Sequence, residues 1–187
     1  MFYEITVKTH VRMAPELFGG DIKKALLASL NKQFEGFVSK DIGLIIGVSG
    51  ITEIGDGVII PGDGAAYYET TFTLYTFILE VQEILLGKVN EITDFGAFLD
   101  IGVIDGMVHV SQTMDDFVSF SKSNILAGKE SKKSLKVGDK CRARIIAVSF
   151  KEPTNPKVGL TMRQHRLGAL LWIDNELKKT ITTTKKK

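Results

Sequence analysis

Between Glu83 and Met162 glycine recurs at Gly87, Gly96, Gly106, Gly138 and Gly159, cutting the segment into short runs rich in apolar and β-branched residues. Five short strands joined by glycine-containing turns suit a small closed barrel, because closure leaves no strand edge bare. Gly96 stands among aromatics, with Phe95 before it and Phe98 two residues on. A glycine there suits a sharply bent strand, where a Cβ would crowd its neighbour.

The same segment carries the chemistry. On such a barrel Phe95, Phe98 and His109 can form a flat aromatic platform, on which bases stack at roughly 1–3 kcal/mol each with little sequence preference. Phe95, beside Asp94 and a glycine, reads as exposed. Alternation alone leaves Phe98 open between core and surface. His109 lies between Val108 and Val110, and no second histidine or carboxylate stands near it at metal-ligand spacing. After Val137-Gly138-Asp139, the cations Lys140, Arg142 and Arg144 alternate with Cys141, Ala143 and Ile145. Period two sends the three cations to one face and the small apolar groups inward. Lys88, Lys157 and Arg163 are further basic residues of the barrel segment. Cys141 is the only cysteine, so an internal disulfide is excluded, and its inward place favours a core filler over a nucleophile.

The first eighty residues differ in character. From Tyr3 to Arg12 the odd positions are apolar or β-branched and the even ones polar, which is a half-buried strand. Gly19-Gly20 makes a turn, Asp21 is an N-cap for a helix, and Ile22, Ala25, Leu26, Leu30 and Phe34 recur at helical spacing. Two further strands, Ile42–Ile51 and Ala65–Leu79, are separated by Gly55-Asp56-Gly57 and Pro61-Gly62-Asp63-Gly64, both read as tight turns. Both faces of Phe72–Leu79 carry apolar or aromatic residues, so either both are internal or a partner or the next domain covers one of them. Neither Gly87-Lys88 nor Gly128-Lys129 has the glycine five residues earlier that a phosphate-binding loop requires; Gln82 and Ser123 stand there.

Charge divides the chain at the same place. Residues 1–80 carry six Lys and Arg against ten Asp and Glu, net −4, and residues 81–187 carry eighteen against twelve, net +6. A basic half suits a polyanion, and the acidic half must do something else. The expectation is a domain over 1–80 and a second over 81–187. The longest apolar runs, such as Ile42–Val48, fall far short of the ~20 residues that cross a bilayer, so the chain is expected to be cytoplasmic and off the membrane. Met114–Lys136 is longer than a barrel connection needs and reads as an ordered excursion or a basic loop bearing Lys129, Lys132 and Lys133. Residues 166–180, with Leu167, Leu170, Leu171 and Trp172 before Lys178 and Lys179, read as a helix on the barrel or a partner, followed by a frayed tail from Thr182 to Lys187.

The run Gly87-Lys88-Val89, Thr93-Asp94-Phe95-Gly96-Ala97-Phe98, Asp105-Gly106-Met107-Val108-His109-Val110-Ser111, Val137-Gly138-Asp139 and Gly159-Leu160-Thr161 resembles the S1 family of RNA-binding OB-folds. Two positions depart from that family: Ser149 stands where an acid often ends the fourth strand, and Gly159 where an arginine is common in the last. The order of parts across nearly the whole chain, from Met-Phe-Tyr-Glu through one helix, the two glycine loops and an aromatic strand to the barrel, resembles the E-prime family of archaeal RNA polymerase stalk subunits, with counterparts in the eukaryotic nuclear polymerases. The resemblance implies an α+β chain, a truncated RNP-like sheet domain followed by a five-stranded OB-fold barrel. It implies a non-catalytic subunit without cofactor or metal. Its expected partners are the smaller (F) stalk subunit in a heterodimer, the polymerase core near the clamp, and nascent single-stranded RNA, with a part in promoter opening. Leu17, Phe18 and Pro61, Gly62, Asp63 and Gly64 are the expected core-docking residues. Lys88, Phe95, Phe98, His109, Lys140, Arg142, Arg144, Lys157 and Arg163 are the expected RNA-binding ones. Two rivals stand beside this reading. An enzyme would need a catalytic constellation, and none is legible. A free-standing RNA-binding module would carry basic charge in its first half, where this chain is acidic.

Overall fold

The computed structural model describes residues 1–34, 36–39, 41–121, 124–151 and 156–184, with side chains to residue 178. The chain divides into two compact units, Met1–Ile78 and Leu79–Lys187. Among the described residues no helix is long and apolar enough to cross a membrane.

In the first unit, β1 (Phe2–Met13), β2 (Val38–Ser39), β3 (Gly43–Ile59) and β4 (Ala66–Phe77) form an antiparallel sheet in the order β1-β4-β3-β2. The helix α1 (Ile22–Phe34) starts at Asp21, whose Oδ1 accepts the backbone N–H groups of Lys23 and Lys24 at 3.0 and 3.4 Å. Its buried face, Ala25, Leu26 and Leu30, closes a core with Val11, Met13, Ile45, Ile51, Phe72 and Leu74. Ile22 shares their spacing but is exposed.

Two sequence expectations change here. Gly55-Asp56-Gly57 is no turn: β3 runs through it to Ile59, and the extra residues are absorbed as bulges, with four register shifts against β4. The face of β4 away from the core mixes the aromatic Tyr75 and the buried Phe77 with threonines. Thr71 and Thr73 are half-buried and Tyr75 is exposed there, while Phe77 is shielded by the ring of Phe2, 4.8 Å between centroids. Threonines satisfy the strand propensity without demanding a cover.

Pro61–Gly64 does turn the chain between β3 and β4, with Gly62 at φ +92 and the Asp63 N–H on the Ile60 carbonyl at 3.1 Å. The Asp63 carboxylate accepts Arg12 Nε at 3.0 Å and Nη2 at 2.9 Å, the Tyr67 hydroxyl at 2.7 Å and the Ala65 N–H at 3.3 Å. Those bonds, Arg12's first and then Tyr67's, hold its pKa well below the ordinary carboxylate range.

The second unit is a closed barrel of β5 (Ile84–Ile92), β6 (Gly96–Asp100), β7 (Asp105–His109), β11 (Lys140–Ser149) and β12 (Lys157–Thr161), in the ring order β12-β7-β6-β5-β11 and back to β12. Its interior is Val89, Ile92, Ala97, Leu99, Val108, Cys141, Ala143, Ile145, Val158 and Leu160, all buried. A Cβ at Gly96 would run into the carbonyl oxygen of Val108, so only glycine lets β6 approach β7 at that point. The segment after β7 is an ordered excursion, a three-stranded sheet of β8 (Val118–Ser121), β9 (Ile125–Gly128) and β10 (Ser134–Lys136). Asp116 fixes it, accepting the N–H groups of Glu130 and Ser131 at 3.0 and 2.8 Å and the Ser131 hydroxyl at 2.8 Å. A two-residue β13 (Gly168–Ala169) pairs with β11 and leads into α2 (Leu170–Thr184), where Trp172 Nε1 donates to the Ser134 carbonyl at 3.2 Å. Lys133 pairs with Glu176 at 2.7 Å and lies over the Trp172 ring. The frayed tail expected from residue 182 gives way to helix as far as Thr184, and residues 185–187 lie outside the described ones.

The Asp63 cluster has a pH signature. Because its folded pKa is depressed, the stabilisation is present above the unfolded value of about 3.9 and is lost as pH falls below it. Asp63→Asn should therefore flatten the acid limb of stability below about pH 4, measured by urea unfolding at a series of pH values.

Candidate nucleic-acid interface

The outward residues of β6 and β7 are set by barrel register. Phe98 pairs with Met107, Gly96 with His109, and Met107 in turn with Gly159 of the parallel β12. One row across the outside of the barrel is therefore Phe98, Met107, Gly159. Phe95, in the turn before β6, is 46% exposed, and its carbonyl accepts the Val110 N–H at 2.8 Å, which ties it to the end of β7. Its ring meets that of Phe98 edge-on, with centroids 6.0 Å apart and planes at 87°. The two rings thus form a corner rather than the flat platform the sequence suggests: Phe98, half-buried, is the wall, and Phe95 offers a face to solvent.

His109 is exposed at the end of β7. Ser111 N donates to its Nδ1 at 3.3 Å, and the Ser111 hydroxyl lies 2.9 Å from the same nitrogen. With Nδ1 accepting the amide, the ring proton belongs on Nε2, which is then a donor toward whatever the ring meets. Met107 and Ser111 therefore belong to this surface. Both stand two residues from His109, a period-two signal visible in the sequence but masked by the weight given to aromatic residues.

The expected cations do not gather at this corner. Arg163 is tied to Asp115, with Nε at 2.9 Å and Nη2 at 2.8 Å from one carboxylate oxygen, so it is no free phosphate ligand. Arg144 is half-buried and gives Nη1 to Gln82 Oε1 at 3.4 Å. Lys88, Lys140 and Arg142 lie on β5 and β11, where Lys140 stands opposite Lys88 and Arg142 opposite Leu86. That is the far side of β5 from the aromatic corner. Lys157 is exposed on β12, two residues from Gly159 and so on the same outward face. Glu91 sits opposite Phe98 on β5, next to the corner. Cys141 is buried, and burial together with Asp139 pushes its thiol up to about 12, which removes it as a nucleophile.

In the first unit, the turn beside Leu17 and Phe18 lies next to the Pro61–Gly64 turn. Pro15 Cγ lies 3.7 Å from the point where a Gly64 side chain would begin, so the Pro15–Leu17 turn and the Pro61–Gly64 turn share one end of the sheet. Leu17, Phe18, Ile59 and Ile60 are exposed around them. Asp63 is spent on Arg12 and Tyr67 and serves the turn itself.

A helix-covered sheet unit joined to an OB barrel with an aromatic outer corner defines an S1-type chain with an additional amino-terminal module. Family profiles agree with both parts. Residues 8–64 match the SHS2 domain found in the N terminus of Rpb7p/Rpc25p/MJ0397, and residues 78–152 match the S1 RNA binding domain. The chain is 36% identical over 180 residues to DNA-directed RNA polymerase subunit Rpo7 of Sulfolobus acidocaldarius, covering 96% of this chain and 98% of that one. It is 27% identical over 145 residues to DNA-directed RNA polymerase II subunit 7 of Arabidopsis thaliana, covering 78% and 82%. A small ribosomal subunit protein bS1 homolog of Bacillus subtilis is 43% identical over 74 residues, 40% of this chain and 19% of that one. The chain belongs to the Rpo7 family of DNA-directed RNA polymerase subunits.

Gly159 gives this interface a direct test. A Cβ there would meet Ile146 Cγ1 at 3.6 Å and the Ala147 Cβ at 3.7 Å, ordinary contacts, so a side chain fits beside Met107 and Phe98. Gly159→Arg should raise single-stranded RNA affinity and steepen the slope of log affinity against log salt by about 0.7 for one added phosphate contact. Fluorescence anisotropy over a salt series measures both.

Proposed function

We propose that this chain is a non-catalytic stalk subunit of a DNA-directed RNA polymerase, pairing with the smaller stalk subunit, docking on the core near the clamp, assisting promoter opening and holding nascent single-stranded RNA, in the cytoplasm. The observation that carries the RNA part is the corner of Phe95 and Phe98, with the Phe95 ring exposed and His109 exposed at the end of the neighbouring strand β7. Phe95 stacks on a base, Phe98 walls it, and His109 Nε2 donates to it. Glu91 beside Phe98 repels phosphate on the β5 side. The RNA backbone accordingly runs along the β7–β12 side, past Met107 and Gly159 toward Lys157.

The polymerase part rests on correspondence with an RNA polymerase subunit over 96% of the chain and on the tip of the first unit. Four large apolar side chains, Leu17, Phe18, Ile59 and Ile60, stand exposed at one end of a sheet beside a turn that Arg12, Asp63 and Tyr67 hold in shape. A preformed apolar tip loses little entropy on docking. The net −4 of this half turns it away from RNA and leaves it for protein.

Two outcomes follow. Phe95→Ala combined with His109→Ala should weaken single-stranded RNA binding at least about tenfold at fixed salt, as loss of one stacking contact predicts, with the urea midpoint unchanged; equal affinity would exclude the corner as the RNA site. Leu17→Ser combined with Phe18→Ser should release the chain from the polymerase core in a pull-down while leaving RNA affinity intact. Recovery of the core with both changes in place would remove the tip from the docking surface.

A further inference from the structure

The cations left out of the RNA corner form a surface of their own. On the outside of the barrel, β5 and β11 pair so that Lys88 faces Lys140, Leu86 faces Arg142 and Ile84 faces Arg144. Leu86 is 64% exposed and Ile84 48%. Lys88, Lys140 and Arg142 have no ion-pair partner among the described residues, and Asp100, the other cross-strand neighbour of Lys88, accepts the Gly102 N–H on its Oδ1 at 2.8 Å. Like charges directly opposite each other on a sheet are destabilising, and one carboxylate, Asp100 across from Lys88, stands against the two lysines and Arg142, which leaves the face net positive. Beside the two lysines lies a cleft of about 370 Å³, lined by Leu86, Ile101 and Leu170 together with Lys88, Lys140 and the single acid Asp100.

We infer that this β5–β11 face is a protein-docking site that takes an acidic amphipathic helix. An apolar side chain of the helix enters the cleft between Leu86 and Leu170, and carboxylates one turn away pair with Lys88, Lys140 and Arg142. Charge complementarity selects the sign of the partner, and the exposed aliphatics select its class. Leu86 and Ile84 have no ring on which a base could stack, and a phosphate chain neutralising the cations would leave them in water. A helix buries them and pairs the charges together. The barrel thus has two working faces: aromatic on β6 and β7 for RNA, and cationic-aliphatic on β5 and β11 for protein.

The inference rests on the reading of the chain as one half of a heterodimer, and the smaller stalk subunit is the probe. Two variants of the full chain, Leu86→Asp and Lys140→Glu with Arg142→Glu, are co-expressed with it, and pairing is measured by calorimetry and single-stranded RNA affinity by anisotropy. Both sets of substitutions are at positions outside the barrel core, and circular dichroism checks the fold. Expected is a fall in pairing affinity of tenfold or more for each variant, with RNA affinity within twofold of the parent. Pairing unchanged in both variants overturns the docking face while leaving the heterodimer standing. RNA affinity lost with pairing intact assigns the face to nucleic acid and overturns it as well. A parent chain that does not pair with the smaller stalk subunit overturns the heterodimer reading and this inference together.

Discussion

The approach of β6 to β7 at Gly96 is the contact on which the proposed RNA surface depends. Any Cβ there would strike the Val108 carbonyl, so the strands come together only because residue 96 has no side chain. That closeness sets the register in which Ala97, Leu99 and Val108 point inward and Phe98 and His109 outward. Just before Gly96 stands Phe95, whose carbonyl takes the Val110 N–H and so ties its backbone to the end of β7. One absent methyl group thus links the packing of the barrel to the exposure of its aromatic corner.

Electrostatics is arranged more locally than net charge implies. The second half carries +6, yet Arg163 is neutralised by Asp115 and Lys133 by Glu176, and the unpaired cations on β5 and β11 lie away from the aromatic corner. Near that corner stands Glu91. On the proposed reading, stacking rather than phosphate contact supplies most of the hold on RNA, and few released counterions mean a weak dependence on salt.

Elements whose signal is local are legible in the sequence. The alternation of Tyr3–Arg12, the Asp21 cap with its helical stripe and the inward Cys141-Ala143-Ile145 set all follow from period and propensity. What stays hidden depends on pairing. Gly55–Gly57 looks like a turn because glycine marks turns and bulges alike, and only the partner strand β4 decides between them. The three-stranded excursion is undecided in the sequence because its organiser, Asp116, reaches fourteen and fifteen residues ahead to Glu130 and Ser131. The cation row faces outward as its period implies, but which strand it faces is a matter of barrel closure. Only the register of β11 against β5 reveals that Leu86, not an aromatic residue, stands beside Arg142.

Two faces on one small barrel make sense of its departures from a plain S1 pattern. A barrel that gripped RNA by charge all round would bind any polyanion and release a moving transcript slowly. Here the β12 position open to a basic side chain is glycine, and an acid stands by the corner, so the proposed hold on each base is limited to about the 1–3 kcal/mol of a stacking contact. A strand held that way can advance base by base, since every base offers a similar face to Phe95. The cations on β5 and β11 are left for the proposed protein contact, where slow dissociation is useful. Placing the two proposed jobs on neighbouring pairs of strands would let a single small domain be loose toward its polymer and firm toward its assembly.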